Sequence, residues 1–360
     1  MISTPAAGRW LTLATALAVG SVASSRHGSQ SHTPRPRWVL MYFGGPAKYK
    51  NRPHYTSDDL MRLVAAVDTA GRPTSWLTTG AILAELYAPS SNVFTNWIGG
   101  TPATGADWRE YLDTILAAGA PLARLDSVVG ALNRAIGPLG DLYRVAVMIP
   151  YPDTKVDSIR YDGRLYSLRK PTDGAALAAA YTSDVAAGFR ARHFQNLALD
   201  AIYWLHETIE GPDTAVVPAV ADRVHAAGLR FLWIPYFTAS GISEWRKFGF
   251  DQAWLQPNYF FTPSVPATRV DSAVVIARRL AMGVELEFDN RLLTSPQHAD
   301  RLGPYVSRLA AAPDLRAGPI VMYEGAGGLL GLSRAADPWH RAMYQHLVHV
   351  LQSADSVIAP

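Results

Sequence analysis

The sequence predicts an α/β protein, a single (β/α)8 TIM barrel with long loops after strands 2 and 3. Three observations carry that prediction. Eight runs recur along the chain, each short and apolar enough to be buried on both faces, as parallel strands require. Between them lie longer, often Ala-rich segments with helical spacing. No linker or shift in composition interrupts residues 38–355, so they are counted as one domain.

The elements follow in order. The first strand is expected at Trp38–Phe43, and Ser57–Asp58–Asp59 then opens a helix with N-cap chemistry and an acidic first turn, ending at Ala70–Gly71. The second strand, Ala81–Tyr87, precedes an extended loop from Pro89 to Gly105. Asp107 begins a helical stretch reaching about Ile136, long enough to be two helices broken near Gly119–Pro121. The third strand, Tyr143–Ile149, leads into a second long loop between Tyr151 and Pro171, and Thr172–Asp173 opens the next helix. Strand four is Ala198–Leu205, and Asp213 to Gly228 is a helix that Pro218 should kink or delay. Strands five and six, Arg230–Pro235 and Gln252–Gln256, flank a short helix at Ser243–Phe248. Val270–Met282, Gly283–Phe288, Pro296–Ala312, Pro319–Tyr323 and Pro338–Ser353 complete the alternation.

Composition excludes several chemistries. The 360 residues are 49% hydrophobic with mean hydropathy +0.02, as for a globular chain. No cysteine is present, which removes disulfides, thiol nucleophiles, Cys-ligated zinc and iron–sulfur clusters. The 33 Lys+Arg nearly balance 30 Asp+Glu and form no dense basic run, so no nucleic-acid partner is expected. At the N-terminus, Arg9, the apolar stretch Trp10–Gly20 and the small residues Ser21, Ala23, Ser24 and Ser25 are the parts of a secretory signal peptide. Residues 1–25 are read as that peptide, with cleavage near Ala23, and 26–37 as a flexible leader. The apolar stretch is about half of the roughly 20 residues that span a bilayer. No later segment is judged long and apolar enough to cross a membrane, and a secreted or periplasmic monomer is expected.

Barrel enzymes place chemistry where strands end, and here those exits carry carboxylates and aromatics. Period-two alternation on strand seven puts Glu285, Glu287 and Asp289 on one face and Val284, Leu286 and Phe288 on the other. The apolar set should face the helices and the acids the barrel axis. Glu285, the deepest, suits a structural role, and Glu287, nearer the mouth, is better placed to react. Strand four ends Tyr203–Trp204–Leu205–His206–Glu207, so Glu207 is the natural partner across the mouth, with a loop salt bridge as the structural alternative. Glu324 after strand eight rivals both. Two carboxylates are what glycoside hydrolysis requires, one donating a proton to the leaving oxygen and one attacking the anomeric carbon or activating water. An acid at strand four and a nucleophile at strand seven resemble many barrel glycosidases, in which Asn usually precedes the strand-four acid; here His206 does.

The remaining exits suit a sugar. Tyr42, Tyr151, Trp204, Tyr236, Tyr259 and Tyr323 fall at or near the expected mouth, and aromatic faces pack against the C–H faces of sugar rings. Glu85, His206, Gln256, Asn258, Glu285 and Asp289 complete the candidate substrate-binding set; Asn258 serves equally well to shape the turn after Pro257. No metal and no cofactor are expected: His206–Glu207 lacks the second His of a zinc helix, and no lysine sits at a strand end for a Schiff base. Gly325–Ala326–Gly327–Gly328 could cradle a phosphate, although a plain glycine-rich turn accounts for it as well.

Tyr203–Trp204 with Glu207, Trp233–Ile234–Pro235–Tyr236–Phe237, Gly249–Phe250–Asp251, Gln256–Pro257–Asn258–Tyr259 and Gly283–Val284–Glu285–Leu286–Glu287 occur in this order. The string resembles the secreted bacterial domain-of-unknown-function family numbered four-eight-five-five, from about Trp38 to about Asn290. That resemblance implies a glycoside-hydrolase-like barrel and carries no residue-by-residue activity. The expected function is a secreted glycoside hydrolase cleaving a polysaccharide, with Glu207 as general acid/base and Glu287 as nucleophile or base. A non-catalytic glycan-binding barrel is the alternative, and a lyase or isomerase using Tyr323 or His206 is a third.

Overall fold

The computed structural model describes residues 36–43 and 55–353. The signal-peptide expectation and all but the end of the leader lie outside them. Eight parallel strands close into a barrel: β1 (Arg37–Tyr42), β2 (Gly80–Ala84), β3 (Tyr143–Ile149), β4 (Leu197–Trp204), β5 (Arg230–Trp233), β6 (Gln252–Leu255), β7 (Gly283–Leu286) and β8 (Ile320–Glu324). Each pairs with its neighbours in sequence, and β1 closes the ring on β8, with Trp38 opposite Val321 and Leu40 opposite Tyr323. The fold is the TIM barrel that the alternation of apolar runs predicts. β1 starts one residue inside the expected leader: Arg37 is buried, and its Nε donates to the Leu77 carbonyl at 2.7 Å.

Ten helices occur among the described residues: α1 (Ser57–Val64), α2 (Gly105–Leu116), α3 (Pro121–Ala135), α4 (Pro171–Ala191), α5 (Asp213–Ala226), α6 (Thr268–Leu280), α7 (Pro296–Ala310), α8 (Pro313–Ala317), α9 (Gly328–Arg334) and α10 (Pro338–Gln352). Two of them, and one expected short helix, differ from the sequence reading. α1 stops at Val64 because Ala65–Val67 pairs with Pro73–Trp76 as a small antiparallel ribbon, so its sequence continues as strand instead of helix. The short helix expected at Ser243–Phe248 is a 3-10 turn at Ile242–Glu244. Pro218 lies inside α5, which begins at Asp213 without the delayed start that the proline could impose.

Read as one stretch, Gly105–Ala135 is long and apolar enough to cross a membrane, contrary to the expectation that no later segment is. It is two helices separated by residues 117–120. Trp108, Tyr111 and Ile115 of α2 and Leu122, Leu125 and Val129 of α3 are buried in the barrel's own core.

Inward side chains fill the barrel in layers. Near the bottom, Trp38 of β1 and Trp254 of β6 meet edge to face at 6.3 Å between centroids. Gly283 opens β7 beside them for a steric reason. A Cβ there would lie 2.4 Å from the Pro319 carbonyl oxygen and 2.4 Å from Trp254 Cδ1, far inside contact distance. Gly283→Ala is therefore expected to destabilise the fold by about 1–3 kcal/mol, the usual cost of overpacking, read from the midpoint of urea unfolding.

Candidate active site

β7 and the residue after it position two acids. Glu285 and Glu287, two residues apart, share the inward face and line one cavity, while Leu286 and Phe288 are buried between barrel and helices. The alternation ends there. Asp289 begins a 3-10 turn over Asn290–Leu293, accepts from Arg291 N–H at 2.9 Å and pairs with the Arg291 guanidinium. It does not line the cavity: its carboxylate is taken up in capping that turn and in pairing with Arg291.

Glu287 is buried and well supplied with donors. Tyr305, on α7, donates its hydroxyl to Glu287 Oε2 at 2.6 Å, and the Tyr259 amide donates to the same oxygen at 3.3 Å. Burial pushes the Glu287 carboxyl up to about 7, opposed by these donors and by Arg269. Glu285 lies deeper, and burial together with the charges of Glu287 and Glu207 holds it well above the usual carboxylate range. Tyr305→Phe removes a donor to the ionised Glu287. A hydrogen bond to a charged group is worth about 1.5–3 kcal/mol, so the pH at which Glu287 ionises is expected to rise by roughly 1–2. Carboxyl titration by infrared spectroscopy checks this.

Glu207 follows β4 and faces the same cavity, partly open to solvent through it. Burial raises its carboxyl to about 7 and the nearby Glu287 charge adds to the rise, while a hydrogen bond from Gln256 opposes it. Gln256 is in turn held by Ile234, whose carbonyl accepts from its Nε2 at 3.0 Å, and by Asn258, whose Nδ2 donates to Gln256 Oε1 at 3.1 Å. Asn258 adopts φ 50°, a left-handed turn that Asn tolerates, and its Oδ1 accepts from the Phe237 amide at 2.6 Å. It shapes the loop and lines the site together. Among the described residues no three His, Cys, Asp or Glu side chains are placed to hold one metal ion.

The cavity holding Glu207, Glu285 and Glu287 measures about 390 Å³, and Tyr42, Phe261 and Tyr323 supply aromatic wall. Tyr323 meets Tyr42 edge to face at 5.7 Å and Phe261 at 5.4 Å. A second cavity of about 450 Å³ adjoins it and is lined by His206, Tyr236, Asn96 and Glu210; Glu207, Trp97 and Asn258 border both. His206 stacks on Tyr151 at 4.1 Å, its Nε2 lies 3.0 Å from Asn96 Oδ1, and its Nδ1 is 3.3 Å from Asp213.

Several expected site residues lie elsewhere. Glu324 is fully buried and turned toward α9, accepting from the Leu329 amide at 2.8 Å; burial lifts its carboxyl to about 7. The glycine-rich loop thus leads to a helix start occupied by the chain's own carboxylate, in place of a phosphate. Glu85 is buried and accepts from the Leu86 amide at 2.8 Å and the Tyr87 amide. Trp204 points outward and packs on Phe231, as strand alternation from the inward Tyr203 dictates. Tyr151 donates to Asp213, and Tyr259 packs under the Arg301 guanidinium; both support the site from outside these two cavities. Sequence reasoning missed Tyr203, Trp97, Phe261, Arg291 and Tyr305. Alternation on β4 would have found Tyr203; Tyr305 comes from a helix, where no strand-exit signal exists.

Comparison with solved structures finds barrels of varied chemistry at low similarity. A dihydropteroate synthase from Xanthomonas albilineans is 10% identical over 90% of this chain and 95% of its own, with a TM-score of 0.39. A GH18 chitinase from Flavobacterium johnsoniae is 8% identical over 89% of this chain and 94% of its own, with a TM-score of 0.40. A GH10 xylanase from termite gut is 10% identical over 91% and 77%, with a TM-score of 0.38. Likeness at this level carries no argument about activity. No curated protein sequence matches the chain. The family comparison is decisive: residues 37–349, the whole barrel from β1 into α10, match one family, and the chain belongs to the Domain of unknown function family DUF4855.

Proposed function

We propose that this chain is an exported glycoside hydrolase acting on a polysaccharide, with Glu207 as general acid/base and Glu287 as nucleophile or base. The observation that carries the reading is the meeting of Glu207 and Glu287 in one aromatic-walled cavity, each with its carboxyl raised to about 7. Carboxyls crowded in this way do not all ionise together near neutral pH. Glu287 has three donors to stabilise its anion, from Tyr305, Tyr259 and the Asn258 backbone; Glu207 accepts from Gln256. On this reading the proton is held by Glu207 and the charge by Glu287, the carboxylate that more donors face, which is the division of labour that glycoside cleavage needs. Glu207 gives its proton to the glycosidic oxygen as the C1–O bond breaks. Glu287 attacks C1 or takes a proton from the water that does. Glu285, kept neutral by burial, adds no third charge.

The test is a screen of the purified chain against a polysaccharide panel, with new reducing ends and product anomers followed by NMR. Hydrolysis of at least one glycan is expected. Binding without turnover on every glycan selects the non-catalytic glycan-binding barrel instead.

A further inference from the structure

Trp97 stands apart from the other tryptophans that frame the barrel. Trp38, Trp76, Trp108, Trp204, Trp233, Trp245 and Trp254 are all buried, whereas Trp97 is 48% exposed. Its position is fixed by a braced loop. Val93 bridges both Tyr87 and Pro102, the Phe94 amide donates to the Leu86 carbonyl at 2.9 Å, and the Tyr151 amide donates to the Phe94 carbonyl at 2.9 Å. Asn96, its neighbour, is tied to His206. The loop thus holds a large aromatic ring, from a hydrogen-bonded base, at the wall shared by the two cavities.

The ring's place in the cleft indicates what that ligand is. Trp97 and Glu207 border both cavities, while Glu285 and Glu287 line only the deeper one. On the hydrolase reading above, the sugar whose C1 reacts occupies the deep cavity beside Glu287, and the oxygen that Glu207 protonates lies at the boundary. We propose that the outer cavity is a leaving-group subsite holding the next sugar of the chain, stacked on Trp97 and edged by Tyr236 and His206. Flat indole faces suit the C–H face of a pyranose, and Tyr and His supply polar edges for its hydroxyls. The substrate is then a glycan of at least two linked sugars spanning the boundary, and a single sugar fills only half of the cleft.

Binding tests this independently of turnover. In a Glu207→Gln background, titration calorimetry with cello-, xylo-, manno- and chito-oligosaccharides of one to four sugars measures affinity against chain length. At least one series is expected to bind about tenfold more tightly on passing from one sugar to two or three. Adding Trp97→Ala is expected to abolish that gain, and Trp97→Phe to keep most of it. Trp339→Ala, at the other exposed tryptophan among the described residues (50% exposed, outside both cavities), is expected to bind as the parent does. A length gain that persists in Trp97→Ala overturns the proposal, as does the absence of any gain in all four series. A length gain lost in Trp97→Ala, with no turnover of any glycan by the unaltered chain, supports the subsite and refutes hydrolysis.

Discussion

Glutamine at position 207 or 287 is expected to lower turnover of a responsive glycan by about 10²–10⁴-fold, the range that a positioned acid or base contributes. Gln keeps the shape of the side chain and most of its hydrogen bonds but neither donates a catalytic proton nor attacks carbon. The two variants should differ with the leaving group. An aryl glycoside with an acidic phenol needs little protonation, so Glu207→Gln loses less activity on it than on a polysaccharide. Glu287→Gln loses activity on both alike. Neither change should weaken the fold, because each replaces a carboxyl that burial already disfavours in its ionised form. Steady-state kinetics on both substrate types, with thermal unfolding as a control, decide the matter; full turnover in both variants would remove these residues from the chemistry.

The second large effect concerns stability rather than catalysis. Glu324 is fully buried, and its carboxyl is raised from the ordinary 4.5 to about 7 chiefly by that burial. Below pH 4.5 the side chain is neutral in both folded and unfolded chains. Between 4.5 and about 7 the unfolded chain releases the proton while the folded one retains it, so stability falls as pH rises through that window. Each pKa unit is worth about 1.4 kcal/mol, which puts the full loss on the order of 3 kcal/mol. Glu324→Gln can still accept from the Leu329 amide but cannot ionise. Urea unfolding at pH 4.5 should find variant and parent nearly equal, and at pH 8 the variant should be the more stable. A gap of the same size at both pH values would show that ionisation of Glu324 does not destabilise the fold.

Much of the site was legible before folding was considered. The acids at 285 and 287 could be assigned to the barrel interior because strand periodicity is local and forces alternate residues to opposite faces. Glu207 was legible for a related reason: a carboxylate just past an apolar strand sits at the barrel mouth. The same logic fails at Asp289, whose carboxylate caps the following turn and pairs with Arg291, and at Trp204, where alternation and not proximity to the mouth sets the direction of the side chain. Glu324 likewise stands at a strand end, as the last residue of β8, yet its carboxylate accepts from the start of α9.

By itself the sequence determined the barrel, the order of its strands and the inward placement of the strand-seven acids, because apolar runs, helix caps and alternation act within a few residues. Only the tertiary structure decided which acids share a cavity, that Tyr305 from α7 donates to Glu287, and that Trp97 borders both halves of the cleft. These relations join residues far apart in the chain. They depend on the direction and depth of side chains once the ring has closed, and burial at that depth raises the carboxyls of Glu207, Glu287 and Glu324.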